Sequence, residues 1–312
     1  MALITKYGTI WGQIPNTAGS VYWVAPSATY TVEGRAYSAS DNNDGKSPER
    51  ALLTLDYAVG LCTANAGDVI VLLPGAHSWS ASVALDVAGV TIMGLPSGAG
   101  NPKKQKTSIT TSASDQIINV TAANCEIAYL DVIPVTAMAG IDFTAAADQL
   151  YIHHCSFDMY TPAANTATVG IGATAATVAA DFVTIQNCHF LSDGAQGNGI
   201  VLGDAYQALV EDCSFTVYAG TWASAMLLAG ITSASGIIRR CHFAAQGATM
   251  TVGITGTTVN STGQAGIYDC RFDENVTTPI EDYSVEDCNI AENYRASADG
   301  TAEGGLLWSS TT

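Results

Sequence analysis

The residues of this chain that could do chemistry gather around its cysteines. His154-Cys155, Cys188-His189 and Cys241-His242 set a thiol beside an imidazole, the donor types of a zinc site. Asp212, Asp269 and Asp287 each stand immediately before a cysteine, and carboxylates converging on one face could do the acid and base work of glycoside hydrolysis. Arg239, Arg240, Arg271 and Arg295 could serve a uronate lyase, which needs a basic group beside carboxylates that hold calcium against an acidic sugar. Which of these chemistries is available depends on which way each side chain points.

The phrases containing these residues recur: YIHHCSF ending at Phe157, VTIQNCHF at Phe190, LVEDCSF at Phe215, IIRRCHF at Phe243, IYDCRF at Phe272 and VEDCNI at Ile290. From Cys155 to Cys288 the intervals are 33, 25, 28, 29 and 18 residues. A variable period around a fixed phrase is the signature of a solenoid in which each repeat is one rung and insertions become loops. Before and between these phrases lie GIDF from Gly140, GIGA from Gly170, GIVL from Gly199, AMLL from Ala225 and GITG from Gly253, so each rung has at least two strand-forming stretches. Within VTIQNCHF, Val183 and Ile185 share one parity and Cys188 and Phe190 the other, which one straight strand would place on opposite faces. A corner at Asn187 removes the conflict. The equivalent positions are His154, Asp212, Arg240, Asp269 and Asp287; Asn and Asp tolerate the left-handed conformation such a corner demands, and Arg240 suits it least.

Three short strands per rung follow. The expected fold is all-β, a right-handed parallel β-helix of about eight or nine rungs stacked ~4.8 Å apart. The six rung cysteines are expected to form an inward ladder of reduced thiols beside an inward ladder of Phe157, Phe190, Phe215, Phe243 and Phe272. Buried free cysteine behaves as a small hydrophobe, so neither zinc nor redox chemistry is needed to explain it. Asp at the corner is expected for backbone reasons alone, and the arginines would balance nearby carboxylates. No catalytic, cofactor-binding or metal-ligating residue is assigned. Ser47-Pro48-Glu49-Arg50 opens a predicted helix near 47–64, with Ser47 as N-cap and Leu52, Leu55, Ala58 and Val59 on an apolar stripe that would plug the end of the rod. Residues 1–39 are read as an N-terminal attachment or capping segment, 40–290 as the β-helix and 291–312 as a C-terminal tail or cap.

Minor motifs carry less. Gly170-Ile171-Gly172-Ala173-Thr174-Ala175 fits a loose dinucleotide-loop pattern but has no helix signal after it. Asp41, Asn43 and Asp44 miss the spacing of a calcium loop and suit a turn. Lys103, Lys104 and Lys106 form a small basic loop, and Trp79 and Trp222 are candidate stacking platforms for a sugar. The chain has 312 residues, of which 28 are acidic and 11 basic, a formal charge of -17 that argues against nucleic acid as a partner. No apolar run suggests a signal peptide or membrane insertion.

The run Asp41-Asn42-Asn43-Asp44-Gly45-Lys46-Ser47-Pro48, then Ala51, Thr54 and Ala58, then Ala66 to Gly75, resembles the opening segment of the pectate-lyase-like β-helix superfamily. With the cysteine phrases the likeness spans about Ser40 to Ile290. The Cys-rich, Ala/Thr/Gly-rich style further resembles β-helix structural proteins of environmental tailed bacteriophages. These resemblances imply a non-enzymatic virion protein, a capsid decoration protein, spike or tail fibre component. It would be assembled in the host bacterial cytoplasm as a homotrimer and carried on the virion surface, with other virion proteins as partners and host surface polysaccharide as a possible contact. The alternative they leave open is a polysaccharide lyase or glycoside hydrolase of the tailspike type.

Overall fold

A computed structural model describes residues 19–95, 107–112, 115–134, 139–159, 169–172, 180–194, 197–203, 207–229, 236–257, 265–281, 288–291 and 293–295. Asp287, the lysines at 103, 104 and 106, Ala173 to Ala179 and the C-terminal Leu306-Leu307-Trp308 lie outside these residues.

The described strands form three parallel sheets wound as a β-helix, with ten, nine and eight strands, plus one antiparallel hairpin of Thr29–Val32 with Arg35–Ser38. The first sheet runs from Val21–Val24 through Tyr151–His153 and Leu209–Glu211 to Cys288–Ala291. The second runs from Gly75–Trp79 to Tyr294–Arg295, and the third from Val83–Leu85 to Val276–Glu281. Ten stacked strands give a rod about 43 Å long at the spacing of a parallel sheet. No helix among the described residues is long and apolar enough to cross a membrane.

Identical residue types stack because the register is strict. Ile70, Ile92, Ile127, Ile152, Ile185, Val210, Ile238 and Ile267 form one inward column of the first sheet, all at most 3% exposed. In the second sheet the column is His77, Ile109, Val132 and then the five phenylalanines. Their rings stack with centroids 4.7 to 4.8 Å apart and planes within 10° of parallel. The glycines of the intermediate phrases explain themselves here. A Cβ on Gly170 or Gly199 would lie 3.0 Å from the ring of Phe190 or Phe215, and one on Gly253 2.7 Å from Phe272. The third sheet can close on the aromatic ladder only where its backbone carries little or no side chain.

The corner between the first two sheets is left-handed at every predicted position that is described: His154, Asn187, Asp212, Arg240 and Asp269 have φ of 53°, 51°, 54°, 52° and 51°. The cysteine ladder is shorter than expected. Cys155, Cys188, Cys213, Cys241 and Cys270 follow these corners, fully buried and free, each aiming its thiol at the carbonyl two residues back. Cys288 is not the sixth member, because the register pairs it with Ala265, five residues ahead of the ladder position. Asn293 takes the next place instead: its Oδ1 accepts from the Cys270 amide and its Nδ2 donates to Ile267 O. A side chain that can both donate and accept supplies bonds to backbone groups at the end of the stack.

The predicted capping helix near 47–64 does not form. A 3-10 turn at Pro48–Arg50 and a six-residue helix at Leu55–Gly60 flank an extended stretch. Within that stretch Leu52 bridges Val24 in parallel, exchanging main-chain hydrogen bonds with Trp23 and Ala25. Asp41 Oδ1 accepts from the amides of Leu53 and Thr54, and its Oδ2 from the Thr54 hydroxyl. Pairing with the first strand therefore competes with helix continuation and wins, and Thr54 becomes the N-cap, accepting from Tyr57 N. Asp41, Asn43 and Asp44 act within this turn, with Asn43 donating to Ala51 O and Asp44 accepting from Lys46 N.

Candidate functional site

Inward columns leave the outward ones to carry function. Two residues before each cysteine, His153, Gln186, Glu211, Arg239 and Tyr268 stack up the outer edge of the first sheet. The corner residues come next, followed by Asp131, Ser156, His189, Ser214, His242, Arg271 and Tyr294 at the start of the second sheet. The adjacent imidazoles of the Cys-His phrases therefore lie off the thiol ladder. Among the described residues, no three His, Cys, Asp or Glu side chains come together as a metal site.

The upper part of this ribbon is a chain of saturated polar contacts. Tyr151 donates to Gln186 Oε1 at 2.6 Å, and Gln186 donates to Glu211 Oε1 at 2.8 Å. Glu211 Oε2 accepts from Arg239 Nε at 2.6 Å and from Arg240 at 2.7 Å. Arg240 also grips Asp212 through both carboxylate oxygens, at 2.8 and 2.9 Å. That grip holds the Asp212 carboxyl below its ordinary range and raises the guanidinium's own pKa. Arg239 thus points outward to Glu211, where simple strand parity would have turned it inward. At the N-terminal end of this chain of contacts, His153 Nε2 lies 2.8 Å from Glu126 Oε1 and its Nδ1 lies 2.8 Å from His154 Nδ1, with Tyr151 and Tyr129 stacked on the two imidazoles. The His153 bond lowers the Glu126 pKa. A glycosidase acid needs the opposite shift, a carboxyl kept protonated near neutrality. Asp212 and Asp269 do share the corner column, but two rungs apart with Arg240 between them.

Below Arg240 the ribbon opens. A depression of about 460 Å³ is lined by Arg240, Cys241, His242, Asp269, Arg271 and Tyr294. The Cys241 thiol is held far above its ordinary pKa by burial, so it is neither nucleophile nor metal ligand there. Arg240's charge is already engaged. Arg271, by contrast, is exposed and makes no ion pair among the described residues, and it stands between His242 and Tyr294 on consecutive rungs. Arg295 extends this strand, paired with Phe272. Trp222 is fully buried and donates to Gly197 O, so it offers no platform for a sugar; Trp79 is half-buried against the core.

Sequence reasoning named the corner aspartates and the arginines. It missed Glu211 as the hub, the Glu126–His153–His154 group and the outward column around Ser214. For His153, Glu211 and the column around Ser214 the signal was present as a constant offset from cysteine, two before or one after, once the unequal loops are set aside.

A family model described as "Right handed beta helix region" matches residues 169–306. No curated protein sequence matches the chain. Among solved structures, pectin methylesterase from carrot has a TM-score of 0.58 at 12% identity, over 94% of this chain and 88% of that one. Pectin methylesterase PemA from Erwinia chrysanthemi has a TM-score of 0.56 at 14% identity, over 94% of each chain. The PL6 family alginate lyase AlyGC has a TM-score of 0.50 at 13% identity, over 86% of this chain and 46% of that one. At these identities the likeness establishes the right-handed parallel β-helix fold.

Proposed function

We propose that this chain is a polysaccharide-active β-helix protein that takes an acidic glycan in the depression below Arg240 and cleaves it by β-elimination. The single observation that supports this most is the outward column His242, Arg271 and Tyr294 on consecutive rungs. Elimination from a uronate requires neutralisation of the sugar carboxylate, a base for the acidic carbon-bound proton and an acid for the departing glycosidic oxygen. Arg271 binds the carboxylate and stabilises the charge that develops on it, His242 removes the proton, and the Tyr294 phenol protonates the leaving oxygen. The fold relatives are named for pectin and for alginate, which agrees with an acidic polymer. The chain's formal charge of -17 opposes such a partner at long range, but charges are screened beyond ~8 Å at physiological salt, so a local unpaired cation decides contact.

The test is a screen of pectate, alginate and other uronate polymers for unsaturated products by their ultraviolet absorbance. Product that disappears in Arg271→Ala and persists in Arg239→Ala supports the reading. No product from any acidic polymer, with no retardation of the protein in gels containing them, overturns it.

A second reading is a shaft without turnover, a virion structural protein of a tailed bacteriophage, trimeric and partnered by other virion proteins. What favours it is the mutual satisfaction of Glu211, Asp212, Arg239 and Arg240, a ribbon that stiffens the rod and leaves little for a substrate. Light scattering at the mass of three chains, together with a failed screen, would favour this reading; a concentration-independent monomer would remove its trimer.

A further inference from the structure

We infer that Ser214 and His189 form a nucleophile–base pair that hydrolyses acyl esters, a second activity at the edge of the same depression. His189 and Ser214 are register partners on adjacent rungs, and His189 Nδ1 lies 2.6 Å from Ser214 Oγ. Both are half-buried on the outward face. The next residue of the column is His242, which lines the depression, so Ser214 sits between two imidazoles. The contrast lies one rung before His189 in the same column. Ser156 is also a hydroxyl with a close partner, donating to Asp131 Oδ1 at 2.7 Å, but it is fully buried and has only a structural use. Ser214 has the equivalent short bond where a substrate can reach it.

The chemistry balances without a cofactor. With His189 accepting at Nδ1, Ser214 Oγ attacks the ester carbonyl and its proton passes to that nitrogen. The oxyanion of the tetrahedral intermediate faces His242, whose N–H donates to it. Collapse breaks the bond to the alcohol oxygen, which leaves with the proton from His189, and an acyl-serine remains. Water then attacks the acyl carbon, giving its proton to His189, and the carboxylic acid departs as the serine is reprotonated. The substrate class is an O-acylated glycan. That part rests on the function proposed above; the Ser–His pair does not.

An alkyl fluorophosphonate is the probe, since serine attack on phosphorus expels fluoride and leaves a stable adduct whose position peptide mass spectrometry locates. The pair predicts one adduct per chain, at Ser214, absent in Ser214→Ala and formed about 100-fold more slowly in His189→Gln. Arg35→Ala, in the N-terminal hairpin away from the pair, labels at the native rate. Absence of an adduct at Ser214, or a rate unchanged by His189→Gln in a protein with native circular dichroism, overturns the proposal. Ser214→Cys gives an independent readout: its alkylation rises at a lower pH than that of an ordinary exposed thiol if His189 accepts the proton, and an ordinary profile refutes the pairing. Acetate release from O-acetylated glycan supports the substrate class. Labelling of Ser214 without such release refutes that class and retains the pair.

Discussion

Replacing Phe215 with alanine removes the middle ring of the aromatic ladder, and the structure says how the damage should be repaired. Phe215 is fully buried, with ring neighbours 4.8 Å away on both sides. Truncating a buried phenylalanine costs about 3–5 kcal/mol, and the loss of two stacked partners places this site in the upper half of that range. Unfolding entropy of about 2.1 cal/mol/K per residue implies that a loss of about 4 kcal/mol lowers Tm by roughly 6 °C for a chain of this length. Gly199→Ala in the native background is also unfavourable, because the new methyl would lie 3.0 Å from two ring atoms of Phe215 and 3.1 Å from Ala225 O. Overpacking of that kind costs about 1–3 kcal/mol. With Phe215 truncated those ring atoms are gone and the methyl occupies part of the void, so the double variant should be more stable than Phe215→Ala alone. Urea titration of the four proteins, with hydrogen exchange reporting on the central rungs, measures the coupling, expected to exceed about 1 kcal/mol. Additivity within about 0.5 kcal/mol would refute the idea that these glycines exist to seat the rings.

Two further outcomes are expected. His77 is buried with its Nε2–H donating to Leu73 O at 2.9 Å, and burial lowers its pKa to about 4. Below its unfolded value near 6.5 the unfolded chain takes up the proton first, so this group's stabilisation is complete at pH 7, declines as the pH falls from about 6.5 to about 4, and is then level. The loss is about 3 kcal/mol and should appear as a pH-dependent difference in stability between the native protein and His77→Gln, which lacks it; equal slopes would refute the assignment. The ladder thiols should resist a thiol reagent until the rod unfolds, since burial holds Cys188, Cys213 and Cys241 far above their ordinary pKa. Cys62, half-buried and pushed up to about 12, should label slowly in the folded state, and rapid labelling of the ladder would contradict the packing.

The sequence by itself determined the rung. Parity within VTIQNCHF required a corner, the corner required left-handed residues, and cysteine and phenylalanine at fixed offsets required two inward stacks. These are local consequences of strand alternation, and they hold at the five rungs from Cys155 to Cys270. Register across loops of unequal length was beyond local reasoning. Cys288 matched the phrase by spelling, yet strand pairing set it against Ala265 and gave the ladder position to Asn293. The segment at 47–64 had helix signals of its own, but an unpaired first strand drew Leu52 into the sheet and divided them. The candidate site is likewise a tertiary product. Glu211 with Arg239 and Arg240, Ser214 with His189, and Arg271 between His242 and Tyr294 are neighbours only because residues about one rung apart in sequence are stacked at strand spacing. The chain order contains the offset that aligns them, but only the winding of the rod makes that offset a distance.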